Sequence, residues 1–504
     1  MLPQRLEDAR QKSPTFLFFV QLCFRSKKYQ LAPLAKGFAK TMVTYFLFCI
    51  SFATSLSTNA QQKNAMDVWL TSPNDSIFFQ QQKPIAFTAT TTAATIMVDD
   101  RTSFQTIDGF GFALTGGSAG HLLQMSAAAR KILLKELFST KKNGIGTSYL
   151  RISIGASDLN ETVFSYDDLP IGETDTALLK FNLGQDKKDV IPILKEILAI
   201  NPTIKIMGSP WSPPSWIKTN NDTRGGSLKP AYYHVYANYF VKYIQAMQQE
   251  GIAIDAITVQ NEPLHPGNNP SLLMLATEQA EFVKNHLGPA FHQAGIKTKI
   301  IIYDHNADKP EYPISILNDA AARKFVDGSA FHLYGGKIDA LSKVHDAHPD
   351  KHLYFTEQWV GAPGNMKKDI ADHIEKLIIG ATRNWSRTVI EWNLSSNPSL
   401  KPYTSRGGCN KCLGAITISN DSVTRNPAYF TIAHASKFVR PNSLRMASNF
   451  VDGLDNVAFK NIDGKMVLIV LNTSTSKKTF LIGFNDKTAI ATLAAGAVAT
   501  YVWK

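Results

Sequence analysis

Two glutamates stand where apolar runs end. Glu262 closes Ala256-Ile257-Thr258-Val259-Gln260-Asn261-Glu262-Pro263, and Glu357 sits in Leu353-Tyr354-Phe355-Thr356-Glu357-Gln358-Trp359. Taken singly, a glutamate at a strand end reads as a surface ion pair or a helix cap. Two of them, each beside amides or aromatics, suit cleavage of a glycosidic bond. One acid protonates the leaving oxygen, and one carboxylate attacks or stabilises the oxocarbenium-like carbon. Their surroundings must hold the two pKa values apart. Asn261 offers an amide for a sugar 2-hydroxyl, and Pro263 removes a backbone donor and fixes the turn.

Whether the two carboxylates meet depends on the elements that carry them. From Phe104 onward, short apolar strands alternate with amphipathic helices. The strands are expected at 105–115, 148–156, 204–209, 256–261, 299–303, 330–334, 352–357 and 388–393. Ser126 caps a helix with Leu133, Leu134, Leu137 and Phe138 on one side. Pro230 opens another, with Tyr236, Phe240, Tyr243 and Met247 on one face and Gly251 at its end. A third starts at Thr277, turns Ala280, Val283 and Leu287 inward and closes at Gly288-Pro289. Such alternation implies a parallel sheet. Eight units over about 290 residues fit a (β/α)8 barrel. A doubly wound sheet is the rival, but the first turn reads GFGFALTGG, which is not the phosphate-binding GxGxxG.

In such a barrel the chemistry lies at the carboxyl ends of the strands. Glu262 would close strand four and Glu357 strand seven, on roughly opposite sides of the ring, so both would point into the mouth. Other strand ends are polar or aromatic too: Arg151, Trp211 and Trp216, Asp304-His305-Asn306, His332 and Tyr334, and Glu391-Trp392-Asn393. Each alone has a structural reading; Arg151 could be a plain ion-pair partner. Together they describe a sugar pocket.

Residues 66–103 are polar and β-like. From about Asn426 strands return at 457–460, 466–472, 479–482, 490–493 and 497–503, with Asp463-Gly464 as a two-residue hairpin turn. The expected organisation is a leader at 1–60, N-terminal strands at 66–103, a barrel at 104–425 and an antiparallel β-sandwich at 426–504. The barrel would then be inserted between the two halves of the β domain.

The chain has 504 residues, 44% hydrophobic and 19% charged, an ordinary globular profile. Its +12 charge is concentrated at the front, where residues 1–65 hold nine Lys/Arg against two acids. No basic run with interleaved aromatics follows, which argues against a nucleic-acid partner. Lys36 and Lys40 precede an apolar run at 43–53, then Thr58-Asn59-Ala60, the pattern of an export signal. Met42 stands where such a signal would begin, so 1–41 is a candidate over-extended start. Residues 16–24 form a second short apolar stretch, which leaves a signal anchor as the rival. Eleven apolar residues are too few to span a bilayer as a helix. The mature protein is therefore expected to be periplasmic, cell-surface or secreted, without a stable membrane span. Cys23 and Cys49 lie in the leader, and Cys49 lacks the small residues of a lipoprotein site. Cys409 and Cys412 form a lone CxxC, which could be half a zinc site or a redox pair; in an exported protein it favours a disulfide bracing a loop.

The ordered motifs DGFGFALTGGSA, LRISIGASD, GSPWSPPSWIKTN, TVQNEP, FHLYG, FTEQWVG and EWNLS resemble the glucosylceramidase family of glycoside hydrolases, family thirty. The likeness runs from about Phe104 to the C-terminus, including ASKFVRPNS. It implies a (β/α)8 barrel with an attached β domain and a retaining β-glycosidase needing no metal or organic cofactor. It also implies Glu262 as acid/base and Glu357 as nucleophile. Sugar contacts are implied at Arg151, Trp211, Asn261, His332, Tyr334 and Trp392, with Arg151 and Tyr334 able to orient the nucleophile. The compatible partners are a β-linked glucoside, a glucan such as β-1,6-glucan, or a glycolipid such as glucosylceramide. One departure stands out: where the family commonly has an aspartate holding sugar hydroxyls, this chain has Gly116-Gly117. An inverting enzyme, a metal-dependent hydrolase using Asp304, His305 and His332, and a non-catalytic carbohydrate-binding barrel are the alternatives.

Overall fold

The computed structural model describes residues 64–89 and 93–504. The segment read as an export signal, with Cys23 and Cys49, lies outside the described residues. Among the described residues no helix is long and apolar enough to cross a membrane.

Eight strands close into a barrel in chain order: Gly109–Ala113, Tyr149–Ser153, Lys205–Ser209, Ala256–Thr258, Lys299–Ala307, Val326–Gly336, His352–Glu357 and Ser386–Asn393. Every neighbouring pair is parallel. Inward side chains fill the lumen: Tyr149, Met207, Ala256, Ile301, Ala330, Tyr354 and Ile390 form one buried layer. Below it, Asp108 binds Arg387 at 3.0 and 3.1 Å and Lys205 at 2.9 Å, closing the amino-terminal end.

The helices follow the expected punctuation in most places. Ser126 caps Ala127–Phe138 by accepting from the Ala129 N–H, and Leu133, Leu134, Leu137 and Phe138 are buried. Tyr233–Gln249 buries Tyr236, Phe240, Tyr243 and Met247, and Gly251 follows in the left-handed region at φ 80°. Gly288-Pro289 does not end its helix. Ala276–Phe282 continues through a π-helical turn, Val283–Leu287, into Gly288–Gln293. The wider turn just before Pro289 accommodates a residue that lacks an N–H and crowds the preceding turn.

Three strand expectations shift. Gln105 and Thr106 end the strand Ile96–Thr106 of the β domain, and the first barrel strand begins at Gly109. The fourth barrel strand stops at Thr258, so Glu262 lies beyond it. The chain there is pinned by other bonds: Asn261 N–H donates to Pro210 O at 2.8 Å and Glu262 N–H to Asp304 O at 2.9 Å. The Asp463-Gly464 turn is a three-residue loop, with Asn461 N–H to Lys465 O closing it and Gly464 at φ 80°.

The β domain holds a ten-stranded sheet that draws on both ends of the described chain. Ile77–Ala86, Ala65–Ser72, Val498–Trp503, Met466–Leu471, Asp455–Lys460, Leu444–Ser448, Ile96–Thr106, Lys478–Phe484, Lys487–Leu493 and Thr88–Ala89 are neighbours in that order. The sheet is not wholly antiparallel, because Lys478–Phe484 runs parallel to Ile96–Thr106. Just after Asn426 comes not a strand but the buried helix Pro427–Ser436. Its His434 bridges Thr500 Oγ1 at 2.9 Å and Thr71 Oγ1 at 2.8 Å, tying the helix to two adjacent strands, one from each end of the described chain.

Candidate active site

Arg151, on the second barrel strand, is fully buried. Its Nη1 donates to Glu357 Oε2 at 2.5 Å, its Nη2 to Asp304 Oδ2 at 2.8 Å and to Asn261 Oδ1 at 2.6 Å, and its Nε to Ser209 Oγ at 3.0 Å. The guanidinium carbon lies 4.9 Å from the Trp211 ring centre and 5.8 Å from that of Trp392. Those two indoles stack at 5.2 Å. Burying a lone guanidinium costs several kcal/mol, so this dense pairing is what keeps it charged in place.

Asp304 is the second hub. Besides Arg151 it accepts from Thr258 Oγ1 and Thr356 Oγ1, both at 2.6 Å, and faces His332 Nε2 at 3.1 Å. Burial pushes its carboxyl up, but the Arg151 charge and the His332 contact outweigh that and hold it well below the usual range. Tyr303, Asp304 and Glu262 all adopt positive φ, at 72°, 63° and 46°. Non-glycine residues in that region cost about 1–3 kcal/mol each, and the Glu262–Asp304 backbone bond helps hold two of them there.

His332 joins the two glutamates. Its Nδ1 is 3.2 Å from Glu262 Oε1 and 3.8 Å from Glu357 Oε1. The facing oxygens are therefore at most about 7 Å apart, which spans the ~5–5.5 Å of retaining enzymes and only the lower edge of the inverting range. Burial lowers the His332 pKa, but the charge of Glu357 and the contacts with Asp304 and Glu262 overcome it and raise it to about 9. The ring is thus an imidazolium at neutral pH.

The glutamates have unequal surroundings. Glu357 is the last residue of its strand and receives Arg151 and the Tyr334 hydroxyl, the latter at 2.9 Å. Burial raises its pKa, with the His332 and Arg151 charges opposing and the Glu262 charge adding. Burial also pushes Glu262 up, yet the hydrogen bond from His332 and the positive charge of that ring take it below its ordinary value. Two carboxylates around one imidazolium titrate as a unit.

A cavity of about 320 Å³ opens over this network. Trp211, Tyr334, Trp359 and Trp392 line it, together with both glutamates and Asp158. Cys409 and Cys412 are joined by a disulfide and also line it. Of the expected sugar-contact residues, Trp211, Tyr334 and Trp392 line this cavity, while Arg151, Asn261 and His332 are buried in the network bonded to the glutamates. Three of the polar or aromatic strand ends turn elsewhere: Asn393 accepts from Ser118 Oγ at 2.9 Å, and Trp216 and Glu391 also face away. Trp216 donates to Asp167 O at 3.0 Å inside the core, and Glu391 pairs with His373 at 2.7 Å. Glu391 alternates with inward Ile390 and pocket-lining Trp392, so the strand period turns it toward the helices.

The sequence marks Asp304 as a polar strand end and as a candidate metal ligand, not as the hub beneath the two glutamates, and gives Asp158 no role. The signal for Asp304 was the same as for the glutamates, a carboxylate at the end of an apolar run. Glu262, His305 and His332 bring ligand atoms within 4.8 Å of one another and could hold a metal ion. Both His332 nitrogens already face carboxylates, so a cation there would first have to displace the ring proton. His305 Nδ1 lacks a partner among the described residues, and burial lowers its pKa to about 4, keeping it neutral.

Comparison with known proteins follows the same lines. Residues 107–439 match the glycosyl hydrolase family 30 TIM-barrel domain, and residues 442–501 match the family 30 beta sandwich domain. An endo-1,6-beta-D-glucanase of Aspergillus fumigatus is 36% identical over 405 residues, covering 75% of this chain and 81% of the relative. The lysosomal acid glucosylceramidase of Mus musculus is 30% identical over 446 residues, covering 82% and 84%. The solved structure of an endo-beta1,6-glucanase superimposes with a TM-score of 0.81 at 36% identity, covering 87% of this chain and 99% of that one.

Proposed function

The chain belongs to glycosyl hydrolase family 30 and is a glycosidase; on that premise we propose that it cleaves β-1,6-linked glucan with retention, by double displacement. The observation that carries this reading is the single imidazole nitrogen between Glu262 and Glu357, at 3.2 and 3.8 Å, beneath an aromatic cavity.

Glu357 attacks the anomeric carbon. Arg151 and Tyr334 fix its two oxygens, so that it meets the carbon in one orientation. Glu262 protonates the departing oxygen and then takes a proton from the water that releases the sugar. The first step needs Glu262 protonated. A sugar covering it strengthens the desolvation that already pushes its pKa up, and the nearby negative charge of Glu357 acts the same way. Once Glu357 is esterified that charge is gone, and Glu262 becomes the better base. Asn261 keeps its amide oxygen on Arg151, leaving its NH2 for the sugar 2-hydroxyl. Trp211 and Trp392 present apolar faces to the ring.

The β-1,6-glucan assignment leans on the relatives at 36% identity; a polymer outside the cell also suits the export segment read from the sequence. The test is hydrolysis of β-1,6-glucan, aryl β-glucosides and glucosylceramide, with Glu357→Gln as the blank. We expect β-1,6-glucan to be cut fastest, the β-anomer to appear first by proton NMR, and the blank to fall by about 10³-fold or more. Preference for the glycolipid would overturn the substrate, an α-anomer the mechanism, and an active blank the role of Glu357.

A further inference from the structure

One cluster beside the pocket can do chemistry that neither displacement step uses. A Glu262 oxygen and one nitrogen each of His305 and His332 lie within 4.8 Å of one another. Glu262 follows the fourth barrel strand, His305 stands on the fifth and His332 on the sixth, and all three side chains are buried. Glu262 Oε1 is 3.2 Å from His332 Nδ1 and 3.9 Å from His305 Nδ1. His305 is the odd member. Its Nδ1 is shut off from solvent, faces Glu262 and has no hydrogen-bond partner among the described residues. An unpaired buried acceptor is costly, and the cost is recovered when a ligand takes its lone pair.

The spacing fits a metal ion. Bonds of about 2.0–2.1 Å from zinc to each ligand set tetrahedral ligand atoms about 3.4 Å apart. The two edges at Glu262, 3.2 and 3.9 Å, bracket that value, and the edge between the rings is at most 4.8 Å. The supporting shell is in place too. Asp304 Oδ1 faces His332 Nε2 at 3.1 Å, and Asp304 is itself held by Arg151, Thr258 and Thr356. A carboxylate behind a metal-binding imidazole fixes the ring and raises its basicity. Asn268 Nδ2 lies 3.5 Å from Glu262 Oε2, the oxygen that such an ion leaves free.

We propose that Glu262, His305 and His332 bind a zinc-type divalent ion, and that the bound ion reversibly shuts the enzyme off. Two imidazoles and one carboxylate favour Zn²⁺ over Mg²⁺ and Ca²⁺, which take oxygen ligands. The ion bonds to Glu262 Oε1, His305 Nδ1 and His332 Nδ1. The proton on His332 Nδ1 leaves for solvent, while its Nε2–H stays on Asp304. Nothing is oxidised or reduced. Glu262 lines the cavity, so a fourth position is left there for water. The ion's charge and its bond to Oε1 keep the Glu262 carboxyl from taking up the proton it must deliver, and the first step stops. The ion is thus an inhibitor and not a cofactor. The shut-off rests on the glycosidase reading above; the binding rests on the geometry alone.

The experiment strips the whole protein of metal with a chelator, then titrates it with Co²⁺ and Zn²⁺. Co²⁺ stands in for zinc, and its visible absorption reports low-coordinate nitrogen and oxygen ligands without any turnover. We expect one Co²⁺ per chain with an intense visible band, displaced by Zn²⁺ and unaffected by about a 1,000-fold excess of Mg²⁺ or Ca²⁺. On the substrate that the parent cuts fastest, saturating Zn²⁺ should lower kcat/KM by about 100-fold or more, the size of a lost general acid, and a chelator should restore it. His305→Phe keeps the ring's volume and removes its nitrogens. It should weaken Co²⁺ binding, and Zn²⁺ inhibition relative to its own metal-free rate, by about 100-fold. Glu262→Gln should weaken Co²⁺ binding likewise, and it decides the matter if His305→Phe does not fold. No Co²⁺ band in the parent, or an unchanged affinity in either variant, overturns the site. Zn²⁺ bound at full turnover overturns the shut-off. A parent that hydrolyses nothing sinks the glycosidase reading and leaves the site to be judged by the Co²⁺ titrations.

Discussion

Asp304 shows how one side chain can govern a site without touching substrate. Four donors converge on it, from Arg151, Thr258, Thr356 and His332, and through them it sets the positions of both glutamates. Asp304→Asn should destabilise the fold by about 3–5 kcal/mol, since it leaves Arg151 buried with one carboxylate fewer. It should also lower kcat/KM by about 100-fold. The pH profile adds a sharper sign. The Asp304 carboxylate favours the imidazolium of His332, so its removal lowers the His332 pKa from about 9, and the basic limb of kcat/KM moves to lower pH. A basic limb that stays in place would contradict this. The linked stabilities run in opposite senses. The raised His332 contributes stability below its unfolded value near 6.5 that is lost as pH rises through about 9. The depressed Asp304 contributes stability above its unfolded value near 3.8 that is lost as pH falls below it.

At the scale of elements, legibility followed periodicity. All eight barrel strands could be read because buried parallel strands are short apolar runs with polar punctuation, and the carboxyl end of every strand but the first named a candidate site residue. The seventh strand ends at Glu357 as its pattern indicates. The fourth reads through to Asn261, but the ladder stops at Thr258, because Asn261 and Glu262 bond instead to Pro210 and Asp304. Those partners lie about fifty and forty residues away, beyond any local signal. The π-helical turn before Pro289 was hidden for a similar reason: Gly-Pro looks like a stop until the wider turn relieves it. Leu444–Ser448 escaped notice as a strand, being half polar and exposed at its start. Trp216 and Glu391 carried the residue types of a sugar site but the wrong phase, and only the direction of the neighbouring side chains separates them from Trp211 and Trp392.

Across the whole molecule, the β domain is tied to the barrel through buried polar contacts as well as packing. Arg383 Nε donates to Asn456 O at 2.6 Å, and its Nη2 donates to Ser448 Oγ at 3.0 Å. His434 sits in the same interface, where burial lowers its pKa to about 3. A histidine lowered in the fold takes up its proton first in the unfolded chain. Stability is therefore lost as pH falls from about 6.5 toward 3, at about 1.4 kcal/mol per pH unit. Melting temperatures recorded from pH 7 to 4 should fall more steeply for the parent than for His434→Gln, which cannot titrate; equal slopes would refute the assignment. The central claim, however, concerns two glutamates carried by distant parts of the chain and brought to one mouth. Its most direct test is to treat the protein with a 2-deoxy-2-fluoro β-glucoside bearing a good leaving group, then digest it and locate the added mass. The account predicts a single labelled peptide with the sugar esterified to Glu357, and release of the label when an acceptor sugar is added. A label on Glu262, or turnover of natural substrate with no residue ever labelled, would contradict it.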